Sequence, residues 1–288
     1  MSDYLIRMTS NDGNLRAVAA LTTDLCEVSR RMQGTDPTAT VALARMATGT
    51  ALLGALLKND QRLAMIIEGN GPLQKLHAET DAAGHLRCSV KQPLTGLAPR
   101  DDRFDVSGAI GRAGFLSVIK DLGLKEPYRG MVQLQTSEIG EDIAYYLTTS
   151  EQVPSSVLLA VSLSKEAAVL VAGGLLIQAL PGCAEETLDA VEKQLLTMPP
   201  LSEQLLSGHT PEQISATIFG KTPFTLYERM PLAFRCNCSR TQSAKILFSL
   251  GQDELSAAAS GAEPISVTCE YCRKSYSFSP TEIAELLN

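Results

Sequence analysis

The chain has 288 residues, 44% hydrophobic and 20% charged, with a net charge of −7. That profile fits a globular protein with one large domain and smaller additions. The charge is −2 over residues 1–178, −4 over 179–231 and −1 over 232–288, so the basic footprint of a nucleic-acid binder is missing.

The opening MSDYLIRM lacks the basic-then-apolar order of a secretory signal. The most apolar window, Val41 to Leu57, is interrupted by Arg45 and is shorter than the roughly 20 apolar residues of a bilayer span. A cytoplasmic location without a membrane segment is expected. In that reducing setting, paired cysteines bind metal or do redox work more often than they form standing disulfides.

A helix is predicted from Asp36-Pro37, with proline in its first turn, through the alanine-rich stretch to Lys58. LAMIIEG (63–69) and HLRCSVK (85–91) read as strands, with a turn at Ala83-Gly84. MVQLQTSEIGEDIAYYLTTSEQ (131–152) reads as a hairpin turning at Ile139-Gly140-Glu141. Strands and helices do not alternate regularly, so the expected class is α+β, with a mixed core domain over residues 1–178.

Residues 179–231 have a different texture. CAEETLDAVEKQLLTM puts Leu188, Val191, Leu195 and Met198 on one helical face, and Pro199-Pro200 stops it. HTPEQISATIFG offers Thr210 as N-cap, Pro211 at the first helical position, Gln213 completing a capping box and Gly220 as terminator. Isolated helices this short are marginal in water, so this amphipathic linker is expected to dock on the core.

The last segment, 232–288, begins a helix at Ser239 with Gln242, running toward Leu250 and ended by Gly251. Another starts at Ser279-Pro280 with Glu282, its apolar side Ile283, Leu286 and Leu287. Between them SVTCEYCRKSYSFS reads as a strand pair bent around a cysteine knuckle. A unit this small has little core and needs a metal, disulfides or a partner.

Four of the seven cysteines fall in two tight pairs here, Cys236 with Cys238 and Cys269 with Cys272. Two such pairs suit one tetrahedral Zn²⁺ in a closed four-thiolate site. Arg235, Arg240, Lys245, Arg273 and Lys274 lie close enough in sequence to offset part of its −2 charge. Thiolates are also the oxidisable form of cysteine, and their oxidation ejects the metal. Spacing alone leaves both a permanent staple and a switch open, the staple being the commoner outcome.

Other motifs carry less. FGKT (219–222) resembles the end of a P-loop, but Ser215 stands where its first glycine should, and a helix precedes it. His85 and Cys88 fall on opposite faces of a strand pattern, and His77 and His209 have no nearby cysteine. The glycines of EGNGP fit a turn, and Glu141-Asp142 fits a solvated one. No nucleophile–base–orienter set emerges, so the chain does not read as an enzyme. A nucleic-acid-binding protein with a C-terminal zinc ribbon is the alternative that the charge argues against.

Taken together, RAVAALTTDLCEVSRRM (16–32), PTATVALARMATGTALLGALLK (37–58), IEGNGP (67–72), KDLGLKEPYRGMV (120–132), YYLTTSEQVPSSV (145–157), AGGLLIQALPG (172–182), CNCS (236–239) and VTCEYC (267–272) resemble the redox-regulated 33-kDa chaperonin (heat-shock protein 33) family over essentially the whole length. The resemblance implies Cys236, Cys238, Cys269 and Cys272 as zinc ligands in the reduced form. It also implies disulfides Cys236–Cys238 and Cys269–Cys272 after oxidation. The implied activity is an ATP-independent holdase that binds unfolding client proteins once zinc leaves and the zinc domain and linker melt. The oxidised form is expected to homodimerise. Cys26, Cys88 and Cys183 lie outside the motif.

Overall fold

In the computed structural model, residues 2–99, 103–247, 249 and 251–286 are described. The chain divides into two compact units, Met1–Phe234 and Arg235–Asn288, and its architecture is mixed helix and sheet, as the irregular alternation of elements predicts.

The first unit opens with a hairpin of β1 (Tyr4–Ser10) and β2 (Leu15–Leu21), followed by helices α1 (Thr23–Gln33) and α2 (Pro37–Gly54). Next come β3 (Arg62–Gly69), β4 (Lys75–Asp81), β5 (His85–Val90), α3 (Val106–Ile110), β6 (Gly114–Asp121) and β7 (Tyr128–Gln133). Then follow α4 (Gly140–Thr149), β8 (Ser155–Leu163), β9 (Val169–Ala179), α5 (Glu185–Thr197), α6 (Leu201–Leu206) and α7 (Pro211–Phe219). Three short strands close it: β10 (Phe224–Leu226), β11 (Met230–Pro231) and β12 (Ala233–Phe234). One sheet has the order β10-β1-β2-β9-β8, with β11 also on β1; the other has the order β12-β5-β4-β3-β6-β7.

Helix α2 packs against strands of both sheets, which explains why a helix can be apolar nearly all round. Only Pro37 and Arg45 of its 18 residues are not buried. Its small residues permit close approach: a Cβ on Gly49 would fall 2.4 Å from Ile143 Cδ1. The Asp36 carboxylate caps it by accepting from Ala39 N at 2.8 Å. The helix stops at Gly54, short of the expected Lys58, because Leu56 and Leu57 donate to carbonyls only three residues back, Leu53 and Gly54.

The expected hairpin over 131–152 is wrong. Only β7 is extended there, and residues 140–149 form α4. The fully buried Asp142 carboxylate accepts from the backbone N–H groups of Gln135, Thr136 and Ile139 at 2.7, 3.2 and 3.1 Å. That turns the chain and starts a helix whose Ile143, Tyr146 and Leu147 share the buried face. The turn at Gly84 is as predicted, with φ +80°, and brings Ala233 N within 3.1 Å of the Gly84 carbonyl.

The first sheet is apolar on both faces because both are covered. Leu5, Val18, Ala20 and Leu176 point into the central core with α2. Ile6, Met8, Ala17, Ala19, Leu175 and Ile177 point the other way, onto Val191 of α5 and Ile218 and Phe219 of α7. Leu201 and Leu205 of α6 and Ile214 of α7 bury Ala160 and Val171. The expected linker helices therefore lie on the core, and the Thr210–Gln213 capping box is formed. One carboxylate anchors them: Glu212 accepts from the Tyr4 hydroxyl at 2.8 Å and from Arg229 Nε at 2.6 Å, with the Arg229 guanidinium 4.4 Å from the Tyr4 ring centroid.

Glu27 of α1 ties the helix to β9. It accepts from Arg30 Nε and Nη2 at 2.8 Å, from Arg31 Nε at 2.7 Å and from Val169 N at 3.0 Å. The Arg30 hydrogen bonds, helped by Val169 and Arg31, hold its carboxyl down to about 2 from 4.5. A carboxyl lowered on folding contributes stability that is present above the unfolded value and is lost as pH falls toward the folded one. Glu27→Gln should cost about 1–2 kcal/mol at pH 7. Denaturant unfolding of the two proteins should show that difference shrinking between pH 5 and pH 3. A difference constant with pH would assign the effect to packing instead.

Candidate metal centre

The second unit holds α8 (Arg240–Leu247), α9 (Gln252–Ala259), β13 (Ile265–Thr268), β14 (Ser275–Phe278) and α10 (Pro280–Leu286). Ser239 caps α8 by accepting from Gln242 N at 3.2 Å. Ser279 and Glu282 cap α10 reciprocally, Ser279 N donating to Glu282 Oε2 at 2.9 Å and Glu282 N to Ser279 Oγ at 3.3 Å. Gly251, expected to end the first helix, instead precedes α9, which the sequence pattern did not suggest. Leu250 and Leu287 lie outside the described residues. The core of this unit is small: among the described residues its buried apolar side chains are Leu247, Leu255, Tyr276, Phe278 and Ile283.

β13 and β14 form the expected antiparallel pair, with Thr268 opposite Ser275. Between them the chain folds into a knuckle. Cys269 N donates to the Lys274 carbonyl at 2.9 Å, and Arg273 N donates to the Cys269 carbonyl at 3.0 Å. Cys236 and Cys238 approach from the segment before α8. The four sulfurs lie within 4.8 Å of one another, and none is in a disulfide. Contacts cross between the pairs: Cys236 Sγ is 3.6 Å from Cys269 Sγ, and Cys238 Sγ is 3.3 Å from Cys272 Sγ. A tetrahedron with metal–sulfur bonds of about 2.3 Å has edges of about 3.8 Å. The thiols therefore stand where one tetrahedral ion can bind all four.

Their ionisation differs. Burial, with the Cys238 and Cys236 thiols adding to it against the Lys274 N–H, pushes Cys272 up to about 12. Burial also raises Cys236. Burial opposes ionisation of Cys238 too, but hydrogen bonds from Tyr276 and the neighbouring thiols outweigh it and bring that thiol down to about 7. The Tyr276 hydroxyl is 3.4 Å from Cys238 Sγ and donates to the Cys238 carbonyl at 3.0 Å. Nothing in the sequence pattern singled out Tyr276; its only signal is its place on the strand that leaves the knuckle.

Of the cations expected to offset the thiolate charge, Arg240 bonds to Glu282 and stacks 4.3 Å from the Phe278 centroid. Lys274 Nζ lies 5.1 Å from the Tyr276 centroid.

A model of the Hsp33 protein family matches residues 3–279. The chain belongs to the Hsp33 family. It is 56% identical over 287 residues to the 33 kDa chaperonin of Syntrophotalea carbinolica, covering all of both chains. It is 46% identical to that of Geobacter sulfurreducens, covering 99% of this chain and 95% of the relative. The solved structure of the Thermotoga maritima 33 kDa chaperonin superposes with a TM-score of 0.90 at 31% identity, covering 99% of this chain and 97% of the other.

The cysteines outside the motif stand apart from the cluster. Cys26 and Cys88 are buried in the core of the first unit, where burial raises both thiols, Cys88 to about 12. Cys183 is partly exposed and also raised by burial. His85 pairs with Asp81 at 3.0 Å on the face of β5 opposite Cys88. Among the described residues no helix is long and apolar enough to cross a membrane.

Titration of the reduced chain with a divalent thiophilic ion should show one ion bound and protons released. Cys238→Ser or Cys269→Ser should weaken binding by more than the about 10- to 100-fold that follows loss of an outer partner. Unchanged affinity in either variant would remove that residue from the ligand set.

Proposed function

We propose that the chain is a chaperone of the holdase type, ATP-independent and switched by thiol oxidation. In its reduced form Cys236, Cys238, Cys269 and Cys272 hold one Zn²⁺, the ion that four closed thiolates favour. The observation that carries this reading is the convergence of four thiols from two distant segments, within 4.8 Å, in a unit with so small a core. Structural zinc is worth about 10 kcal/mol or more in small zinc-finger peptides, enough to dominate the folding of such a unit.

Oxidation then works against the fold. In each pair two thiolates give up two electrons, form one S–S bond and reduce one peroxide with two protons to two waters. The disulfides are Cys236–Cys238 and Cys269–Cys272, as the family resemblance implies. Disulfide sulfurs no longer offer the charged ligands zinc needs, so the ion leaves and residues 232–288 lose their fold. The linker 179–231 ends on β11, and β12 runs directly into the Cys236 segment. Its release uncovers the outer face of the first sheet, Ile6, Met8, Ala17, Ala19, Leu175 and Ile177, an apolar surface for unfolding client proteins.

The family's named chaperonin relatives support the chaperone reading. The nearly neutral charge of residues 232–288 argues against a nucleic-acid-binding ribbon. A cytoplasmic setting and homodimerisation on activation complete the proposal.

Peroxide treatment should release zinc, make residues 179–231 the preferred site of limited proteolysis, and allow the protein to suppress aggregation of a heat-unfolding client without ATP. Equal cleavage rates and equal protection by the reduced zinc form and the oxidised metal-free form would contradict the switch.

A further inference from the structure

Tyr276 sits in the small core beside Phe278, Leu247, Leu255 and Ile283, with its residue only 9% exposed. Phenylalanine would fill that volume equally, as Phe278 does two residues on along the same face. A tyrosine at a buried position needs a partner for its hydroxyl. Among the described residues the hydroxyl meets two acceptors, both of Cys238, the carbonyl oxygen at 3.0 Å and Sγ at 3.4 Å. A phenol has one proton, so it serves one of them at a time.

The connection crosses the site. Tyr276 lies on β14, opposite Val267, on the strand that leaves the Cys269–Cys272 knuckle. Cys238 belongs to the other arm, 38 residues away in sequence. The hydroxyl therefore ties one cysteine pair to the element carrying the other without passing through a metal ion. Core packing and the Lys274 ammonium over its ring keep the phenol in place.

We propose that Tyr276 is a positioning residue of the metal centre: its hydroxyl fixes the Cys236–Cys238 arm and donates to the Cys238 sulfur when that sulfur is a metal-bound thiolate. The inference rests on reading the four cysteines as one metal site. A donor on a ligating thiolate draws charge away from the sulfur–metal bond, while the carbonyl bond reduces the ordering required for the arm to close on the ion. The two effects have separate readouts, the spectrum of the bound ion and the affinity.

The test uses the full-length reduced chain loaded with Co²⁺, whose thiolate-to-metal charge-transfer band reports on the sulfurs directly. Cobalt binding by the unaltered chain at one ion per chain is the entry condition; its failure would overturn the metal reading and the Tyr276 role together. Tyr276→Phe is expected to shift the band and to weaken binding about tenfold in chelator competition. Phe278→Leu, which removes ring volume from the same core but no hydroxyl, is expected to lower thermal stability and leave the band in place. An affinity within twofold and an unmoved band in Tyr276→Phe would overturn the proposal with the metal site intact. An equal band shift in Phe278→Leu would also overturn it, by assigning the effect to packing.

Discussion

Four thiol sulfurs within 4.8 Å join two chain segments more than thirty residues apart. Around them, among the described residues, are five buried apolar side chains, one reciprocally capped helix, α10, and one short strand pair. A unit this small, with so small a core, needs a metal, disulfides or a partner to hold its fold. The thiol cluster is therefore the constraint on which this unit depends. In the first unit no such staple is needed, because α2 lies between two sheets and is buried along nearly its whole length.

That difference gives helices α5 to α7 their meaning. The outer face of the first sheet is as apolar as its inner face, and only short helices cover it. Helices of 13, 6 and 9 residues do not persist alone in water, so the cover is stable only while docked. The Tyr4–Glu212–Arg229 group pins it, with Arg229 seven residues before Cys236 in the sequence. In the proposed cycle, a metal that holds the last unit also limits the freedom of the segment just before it. Loss of one small fold is thereby converted into exposure of a large apolar face.

The features legible in the sequence were the local ones. Cysteine spacing announced the thiol cluster, and side-chain oxygens three residues ahead of their partners announced the starts of α7, α8 and α10. Asp36-Pro37 did the same for α2. What failed carried no such marker. Residues 131–152 alternate like a hairpin, yet Asp142 gathers three backbone N–H groups and selects the helical pattern of Ile143, Tyr146 and Leu147. Helix α9 lacks a side-chain cap and begins at a glycine, so nothing local marked it. Tyr276 became visible only when folding brought its hydroxyl to Cys238.

The most direct test is amide hydrogen exchange on the reduced full-length chain, metal-loaded and after chelation, with no oxidant present. The account predicts that removing the metal alone abolishes protection in β13, β14 and α10 and lowers it in α5 to α7, while α2 and β3 to β6 keep theirs. Retained protection in β13 and β14 after complete metal removal would show that the thiol site does not hold this unit together, and would contradict the account.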